Sequence, residues 1–223
     1  MKKNKKFNSK DPILYLVTPE IGNDLESWVK IVTEAVKGGV RMVQVRDKSS
    51  SNEKIIAAIQ RIQPPLKEAQ IPLLINDRVD VALEVQADGV HLGQSDLAVS
   101  EARSLLGPAA IIGLSVETMD QALIAEKEAV NYVAASPLFS SFTKLDCNAP
   151  WGLEGLKRLC SLSSHPVMVI GGINKNNIAS ILEYPISGIA VISAIASAPC
   201  PQTATKGLIE KIKMPLYNKL GKG

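Results

Sequence analysis

Aromatic residues are scarce in this chain, where they make up 4% of 223 residues. Few side chains are therefore available as stacking platforms for single-stranded nucleic acid. The core must be built mainly from Ile, Val, Leu and Ala. Hydrophobic residues reach 46% and charged residues 21%, a composition that excludes disorder for most of the chain. The length favours one large domain over two small ones.

Disulfide-forming and zinc-binding residues are also few. The three cysteines, Cys147, Cys160 and Cys200, show no CxxC spacing. Their odd number and their spacing argue against a disulfide framework. With His91 and His165 as the two histidines, a Cys/His zinc site lacks ligands.

Long hydrophobic runs are absent as well. The sequence contains no stretch of about 18 consecutive apolar residues, so no transmembrane helix and no membrane partner are predicted. The first residues, MKKNKKFNSKDP, have the charge of a signal-peptide n-region. The apolar run after them, ILYLV, is too short for the hydrophobic region of such a peptide. We therefore expect a cytoplasmic protein.

The basic residues concentrate at the two ends of the chain. The formal net charge is +3, yet residues 11–205 hold 15 basic and 21 acidic side chains, a balance of −6. A nucleic-acid-binding domain is expected to carry a basic stripe, so no nucleic-acid partner is predicted. We expect a basic tail at 1–12, one folded domain at 13–212 and a C-terminal tail at 213–223.

Short β-branched apolar runs alternate with segments of helical periodicity. Strands are predicted at 13–17, 42–45, 73–75, 89–92, 111–114, 132–134, 167–170 and 189–192. Helices are predicted at 25–37, 51–69, 79–85, 97–105, 118–129, 153–162, 174–182 and about 202–212. Pro64 and Pro65 are expected to interrupt or bend the second helix.

Eight such units predict an α/β fold, a single closed (β/α)8 TIM barrel. Near-continuous apolar strands separated by helices indicate a parallel sheet that is buried on both faces. An open doubly wound sheet is the alternative architecture. Its first strand–helix turn would carry GxGxxG, but residues 18–23 read TPEIGN, which favours the barrel.

Polar side chains gather at the carboxyl ends of the predicted strands, where barrel enzymes place their active sites. Gln44, Arg46 and Lys48 lie on one side of the extended segment that ends strand two. Arg can bind two oxygens and Lys supplies a mobile charge, so this pattern is typical of an anion site. Alternatively, Arg46 pairs with Asp77 or Asp96 and merely closes the barrel. Three such residues at one strand end of an acidic domain favour the anion site.

Two carboxylates, Asp77 and Asp96, end neighbouring strands three and four and lie within reach of a common ion. Mg²⁺ usually binds through one or two carboxylates plus substrate phosphates. A carboxylate pair for glycoside hydrolysis is the competing interpretation. The nearby Arg46, Lys48 and Lys144 match a polyanion better than a neutral sugar, so the magnesium site is favoured.

A second candidate anion site follows strands seven and eight. Gly171-Gly172 and Ile192-Ser193 occupy the place where barrels often bind a phosphate through backbone N–H groups, and glycine allows a ligand to approach the backbone closely. Two anion sites facing one cavity predict two phosphorylated small-molecule substrates, or a diphosphate and a monophosphate. His91 on strand four is interpreted as a packed or hydrogen-bonded core residue rather than a base.

Eight segments carry a family resemblance: LYLVTPE, VQVRDK, LLINDRVDVALEVQADGVHLGQSDL, IIGLS, the SPLF…TK loop, WGLEGL, VMVIGGI and GIAVISAI. In these segments, from about residue 13 to 212, the chain resembles the thiamine-phosphate synthase family, also called thiamine-phosphate pyrophosphorylase. INDRVD followed by DGVHLGQSD is highly specific in combination, whereas GGI and VISAI are shared with other phosphate-binding barrels.

The resemblance implies an Mg²⁺-dependent transferase of thiamine biosynthesis. It would condense 4-amino-2-methyl-5-hydroxymethylpyrimidine diphosphate with 4-methyl-5-(2-hydroxyethyl)thiazole phosphate to give thiamine monophosphate and diphosphate. Asp77 and Asp96 would ligate Mg²⁺. The implied catalytic residues are Arg46, Lys48, Ser115 and Lys144. The implied substrate-binding residues are Gln44, Arg46, Lys48, Asn76, Ser115, Ser141, Thr143, Lys144, Gly172, Ile192 and Ser193.

One segment departs from the family, and two alternatives stay open. Many members carry Thr-Pro-Thr-Lys where this chain has Ser141-Phe142-Thr143-Lys144. The related thiazole tautomerase shares the fold but does not need the diphosphate machinery, and the retention of Lys48, Asp77, Asp96 and Lys144 argues against it. A non-catalytic barrel that senses thiamine phosphates would bind product without turnover. The sequence leaves a homo-oligomeric state open.

Overall fold

A computed structural model describes residues 12–140 and 149–220 of the chain. The strands are β1 Ile13–Val17, β2 Met42–Val45, β3 Leu73–Asn76, β4 Gly89–Leu92, β5 Ile111–Val116, β6 Tyr132–Ala135, β7 Val167–Ile170 and β8 Gly188–Val191. All neighbouring strands are parallel, and β8 pairs with β1 to close the barrel. The predicted (β/α)8 barrel is confirmed.

The helices around the barrel are α1 Leu25–Gly38, α2 Asn52–Glu68, α3 Val79–Glu84, α4 Val99–Leu106, α5 Met119–Ala125, α6 Gly152–Leu162, α7 Ile178–Ile181, α8 Ser193–Ala196 and α9 Pro201–Leu220. The short α8, directly after β8, was not predicted. α9 continues well beyond its expected end near residue 212, so much of the predicted C-terminal tail is helical. Of the predicted tail at 1–12, only Pro12 lies within the described residues.

Three further helices differ from the sequence-based prediction. α2 is not interrupted at Pro64 and Pro65, although each proline removes one helical hydrogen bond, and a bend at these prolines stays a prediction. The apolar face of α2 is buried near both ends of the helix, for example at Ile55 and Leu66. This packing compensates for the hydrogen bonds that the prolines remove. The predicted end of α5 instead forms tight turns, and the predicted start of α7 is a hydrogen-bonded asparagine turn.

Alternating strand residues divide the core into two layers. The larger layer fills the space between the strands and the helices, and the smaller one fills the barrel interior. Glycine makes room for large interior side chains, because a Cβ on Gly113 would overlap the Tyr132 ring. The interior layer consists of Ile13, Tyr15, Val17, Met42, Leu74, Ile111, Tyr132, Ala134, Met168 and Ala190.

Within the described ranges, none of the helices combines the length and the apolarity needed to span a bilayer.

Candidate active site

A cavity of about 460 Å³ opens at the carboxyl ends of the strands. Asn76 lines this cavity, and its side chain donates a hydrogen bond of 2.8 Å to the Asp77 carboxylate, which therefore lies beside the cavity. The predicted Ser141, Thr143 and Lys144 lie outside the described residues. The structure brings nine predicted residues to the cavity wall: Gln44, Arg46, Lys48, Asn76, Asp96, Ser115, Gly172, Ile192 and Ser193.

A buried carboxylate, Asp47, organises the segment that follows β2. It accepts backbone hydrogen bonds from Ile21 at 2.9 Å, Ser49 at 2.9 Å and Ser50 at 2.8 Å, and another from the Ser50 hydroxyl. Burial acts to raise the pKa of Asp47, but these hydrogen bonds outweigh it and lower the pKa to about 2. Asp47 therefore holds the loop from outside the cavity, while the cationic residues on either side of it line the cavity wall.

We predict that Asp47→Asn destabilises the fold by about 2 kcal/mol at neutral pH, because the carboxyl pKa falls from 3.8 unfolded to about 2 folded. This stabilisation is present above the unfolded pKa and is lost as the pH falls toward the folded pKa. Urea unfolding of both proteins should show the difference in unfolding free energy shrinking to roughly half near pH 3. A difference that stays constant with pH would contradict a role for the charge.

Asp77 has an unusual backbone conformation at the end of β3. Its φ is 54°, in the left-handed region that Asp tolerates better than most residues. The Asp77 N–H donates to the His91 carbonyl at 2.9 Å, which ties the turn to β4. The Lys48 ammonium lies 3.8 Å from the Asp77 carboxylate. The turn thus presents this carboxylate beside the cationic segment after β2.

Asp77 and Asp96 form an electrostatically strained pair. Burial and the nearby Asp96 carboxylate raise the pKa of Asp77, and neighbouring cations only partly oppose this. The Gly93 N–H donates to Asp96 at 2.6 Å and fixes that side chain. Such a pair suits a divalent cation, which would offset the repulsion. The described residues contain no cluster of three or more Asp, Glu, His or Cys side chains suited to a metal, so the remaining ligands would come from substrate and water.

A hydrogen-bonded chain crosses the floor of the cavity. Gln44 donates to the Tyr15 hydroxyl at 2.7 Å, and the Tyr15 and Tyr132 hydroxyl oxygens are 3.3 Å apart. The two ring nitrogens of His91 contact the Tyr132 hydroxyl at 2.9 Å and the Ser115 hydroxyl at 2.8 Å. We call these five residues the floor chain. The interpretation of His91 as a hydrogen-bonded core residue is confirmed.

Sequence reasoning missed several residues of the cavity wall. Tyr15, in the middle of β1, lines the cavity, and Tyr132, the first residue of β6, contributes its hydroxyl to the floor chain. Both lie in apolar runs, where no local signal marks a polar role. Glu117 lines the cavity two residues beyond Ser115, and continuing the strand alternation past β5 would have found it. The apolar Met168 and Ile170 supply one wall, a surface suited to a heterocyclic ring.

Asparagine side chains hold the loop that follows β7 in place through hydrogen bonds. Gly172 has a φ of 64°, and a Cβ there would lie 2.6 Å from the Ser140 carbonyl oxygen, so glycine is required. Asn177 donates to the Gly172 carbonyl at 2.8 Å and accepts from the Asn174 N–H at 2.9 Å. The Gly172 carbonyl and the Ile173 N–H belong to one trans peptide and point in opposite directions. The hydrogen bond from Asn177 to this carbonyl therefore turns the Ile173 N–H away from Asn177.

Fold and site together define the class of the protein as a (β/α)8-barrel enzyme acting on small phosphorylated molecules. A family model described as thiamine monophosphate synthase matches residues 14–195. The chain therefore belongs to the thiamine monophosphate synthase family, and the resemblance found in the sequence is confirmed.

Individual relatives agree with this assignment. The thiamine-phosphate synthase of Vibrio campbellii is 43% identical over 196 residues, which covers 88% of this chain and 96% of the relative. That of Syntrophomonas wolfei is 46% identical over 188 residues, covering 84% and 90%. A solved thiamine phosphate pyrophosphorylase from Pyrococcus furiosus superposes with a TM-score of 0.82 at 33% identity, over 95% of this chain and 98% of that one.

Proposed function

We propose that this protein is a thiamine-phosphate synthase. It joins 4-amino-2-methyl-5-hydroxymethylpyrimidine diphosphate to 4-methyl-5-(2-hydroxyethyl)thiazole phosphate and releases diphosphate. Family membership over most of the chain supports the proposal. The observation that carries it is one cavity with cations beside a carboxylate pair at β2–β4. Across the barrel, the glycine loop after β7 and Ile192-Ser193 after β8 line the same cavity.

The two ends of the cavity receive different substrates in this proposal. Gln44, Arg46, Lys48, Asn76 and Ser115 hold the pyrimidine diphosphate, because the cations match its charge and the neutral side chains can form hydrogen bonds with its polar atoms. Across the barrel, the loops containing Gly172, Ile192 and Ser193 receive the thiazole phosphate. The roles of Ser141, Thr143 and Lys144 remain predictions outside the described residues.

Asp77 and Asp96 would hold Mg²⁺, since their mutual repulsion favours a cation and their oxygens are the ligands that it prefers. When bound, Mg²⁺ neutralises charge that develops on the diphosphate. Arg46 and Lys48 add fixed and mobile positive charge on the same side of the cavity.

The chemistry that we propose is a dissociative displacement. The bond between the pyrimidine methylene carbon and the diphosphate oxygen breaks, and its electron pair leaves with the diphosphate. The aminopyrimidine shares the resulting positive charge. The thiazole nitrogen then donates its lone pair to the methylene carbon, and the ring becomes a thiazolium. No protein nucleophile and no proton transfer from the protein are needed for this step.

The function is tested by incubating the protein and Mg²⁺ with both substrates, with each alone and with neither, and identifying products by mass spectrometry. Thiamine monophosphate and diphosphate are expected only in the complete mixture. A thiazole tautomerase would form neither, and a thiamine-phosphate sensor would bind product without making it. Either of those results would contradict the proposed function.

The remaining expectations stay predictions: a catalytic domain at 13–212 with tails at 1–12 and 213–223, no nucleic-acid or membrane partner, a cytoplasmic location and a possible homo-oligomer.

We predict that Asn177→Asp raises the KM for the thiazole phosphate by about tenfold. The carboxylate cannot donate to the Gly172 carbonyl, so the loop after β7 loses the hydrogen bond that positions it. The KM for the pyrimidine diphosphate should change little. Asn176→Asp is the matched control, since this exposed side chain lies in the same loop and introduces the same charge. Steady-state kinetics with an equal increase in both variants would show that charge alone, not the hydrogen bond, is responsible.

A further inference from the structure

Gln44, the first residue of the floor chain, determines which atom donates and which accepts in each following hydrogen bond. The Gln44 amide nitrogen can only donate, so the Tyr15 hydroxyl oxygen accepts at 2.7 Å. Tyr15 has one proton, and the Tyr132 hydroxyl oxygen lies 3.3 Å away. The proton of Tyr15 therefore points toward Tyr132. Burial raises the pKa of both phenols, which keeps both protonated.

The direction of donation continues across the barrel to His91. Tyr132 accepts from Tyr15, so its own proton is donated to His91 Nδ1 at 2.9 Å. An imidazole nitrogen accepts only when it carries no proton, which places the ring proton of His91 on Nε2. This N–H then donates to the Ser115 hydroxyl oxygen at 2.8 Å.

The hydrogen bond between His91 and Ser115 determines whether the Ser115 hydroxyl donates to a ligand or accepts from it. Within residues 12–140 and 149–220, His91 is the hydrogen-bond partner of the Ser115 hydroxyl, and this hydroxyl accepts in that bond. Its own proton is thus available to the cavity that Ser115 lines. A chain with the opposite direction would turn the Ser115 proton toward His91 and present oxygen lone pairs to the substrate.

We propose that the floor chain fixes Ser115 as a hydrogen-bond donor to the substrate, with Tyr132 and His91 as positioning residues that hold this proton order. The proposal rests on the proposed function in so far as the acceptor is an oxygen of the pyrimidine diphosphate. A donor at this position stabilises charge that grows on the leaving diphosphate, whereas an acceptor would repel it.

Imidazole NMR of the full-length, ¹⁵N-labelled protein tests the proton order directly. The chain has two histidines, so a His165→Gln variant assigns the spectrum. The ring proton of His91 is expected on Nε2, with none on Nδ1. A proton on Nδ1 in the wild-type protein would overturn the proposal without any variant.

Tyr132→Phe tests whether the tyrosine holds this order. The variant removes the donor to Nδ1, so we expect a second tautomer of His91 and a kcat lower by roughly tenfold. Tyr15→Phe is the comparison variant, because it deletes a hydroxyl from the same floor but keeps the Tyr132 hydroxyl beside Nδ1. Any second tautomer should therefore be less populated in Tyr15→Phe than in Tyr132→Phe. A lower kcat of Tyr132→Phe with an unchanged His91 spectrum would overturn the positioning role.

Different results would contradict the proposed function and the proposed proton order. A wild-type protein with the expected His91 tautomer but no turnover of the two substrates would contradict the proposed function and support the proton order. Normal turnover with the opposite tautomer would contradict the proton order and support the function.

Discussion

Replacing Asp96 by Asn should lower kcat by roughly 10²–10³-fold, the loss that accompanies removal of one preorganised electrostatic group. The amide keeps an oxygen that can accept the Gly93 N–H, so the turn after β4 should persist. What is lost is the negative charge opposite Asp77, one half of the proposed Mg²⁺ site. Measuring kcat across a range of Mg²⁺ concentrations shows whether turnover still depends on the ion.

Asp120→Asn is the control for this substitution. Asp120 is an exposed carboxylate in the first turn of α5, so the variant changes the net charge equally without touching the cavity. Its kcat should match that of the wild-type protein. If Asp96→Asn also showed wild-type turnover at both saturating and limiting Mg²⁺, the assignment of Asp96 to a metal site would be wrong.

Lys48→Met should weaken the binding of inorganic diphosphate by roughly 10–100-fold, because a hydrogen bond to a charged group contributes about 1.5–3 kcal/mol. Binding of the thiazole phosphate should change little, since the proposal places that ligand across the barrel. The Met side chain retains most of the length of Lys, so the effect reports mainly the lost charge. Titration calorimetry with each ligand in the presence of Mg²⁺ measures both affinities.

Lys54→Met provides the comparison for Lys48→Met. Lys54 is an exposed residue of α2, and its ammonium donates to the Gly22 carbonyl away from the cavity. This variant should bind both ligands normally. Equal weakening of diphosphate and thiazole-phosphate binding by Lys48→Met would show that the cavity is not divided into two anion sites as proposed.

The barrel could be predicted from the sequence because its strands are short apolar runs, each followed by a segment of helical periodicity. The polar residues at their carboxyl ends could be found for a related reason. Once a strand ends at Val45 or Leu92, residues such as Arg46 and Asp96 follow within a few positions, and parallel strands bring these ends to one rim. The local pattern therefore contained most of the candidate site.

Other features depend on contacts between distant residues, which local patterns do not contain. Tyr15 and Tyr132 look like core residues, and only the closed barrel brings their hydroxyls together beneath the cavity. α7 begins later than its periodicity suggests, because the Asn177 side chain binds Gly172 and Asn174 instead. Pro64 stays within a helix because the apolar face of α2 is packed against the barrel.

The central claim is that one cavity joins the two substrates and expels diphosphate. Phosphorus NMR of a reaction mixture containing the protein, Mg²⁺ and equal amounts of both substrates tests this most directly, because every phosphorus-containing species is followed at once. The account predicts that both substrate signals decline together, with one diphosphate appearing for each thiamine monophosphate. Diphosphate released without consumption of the thiazole phosphate, or no change in either substrate, would contradict it.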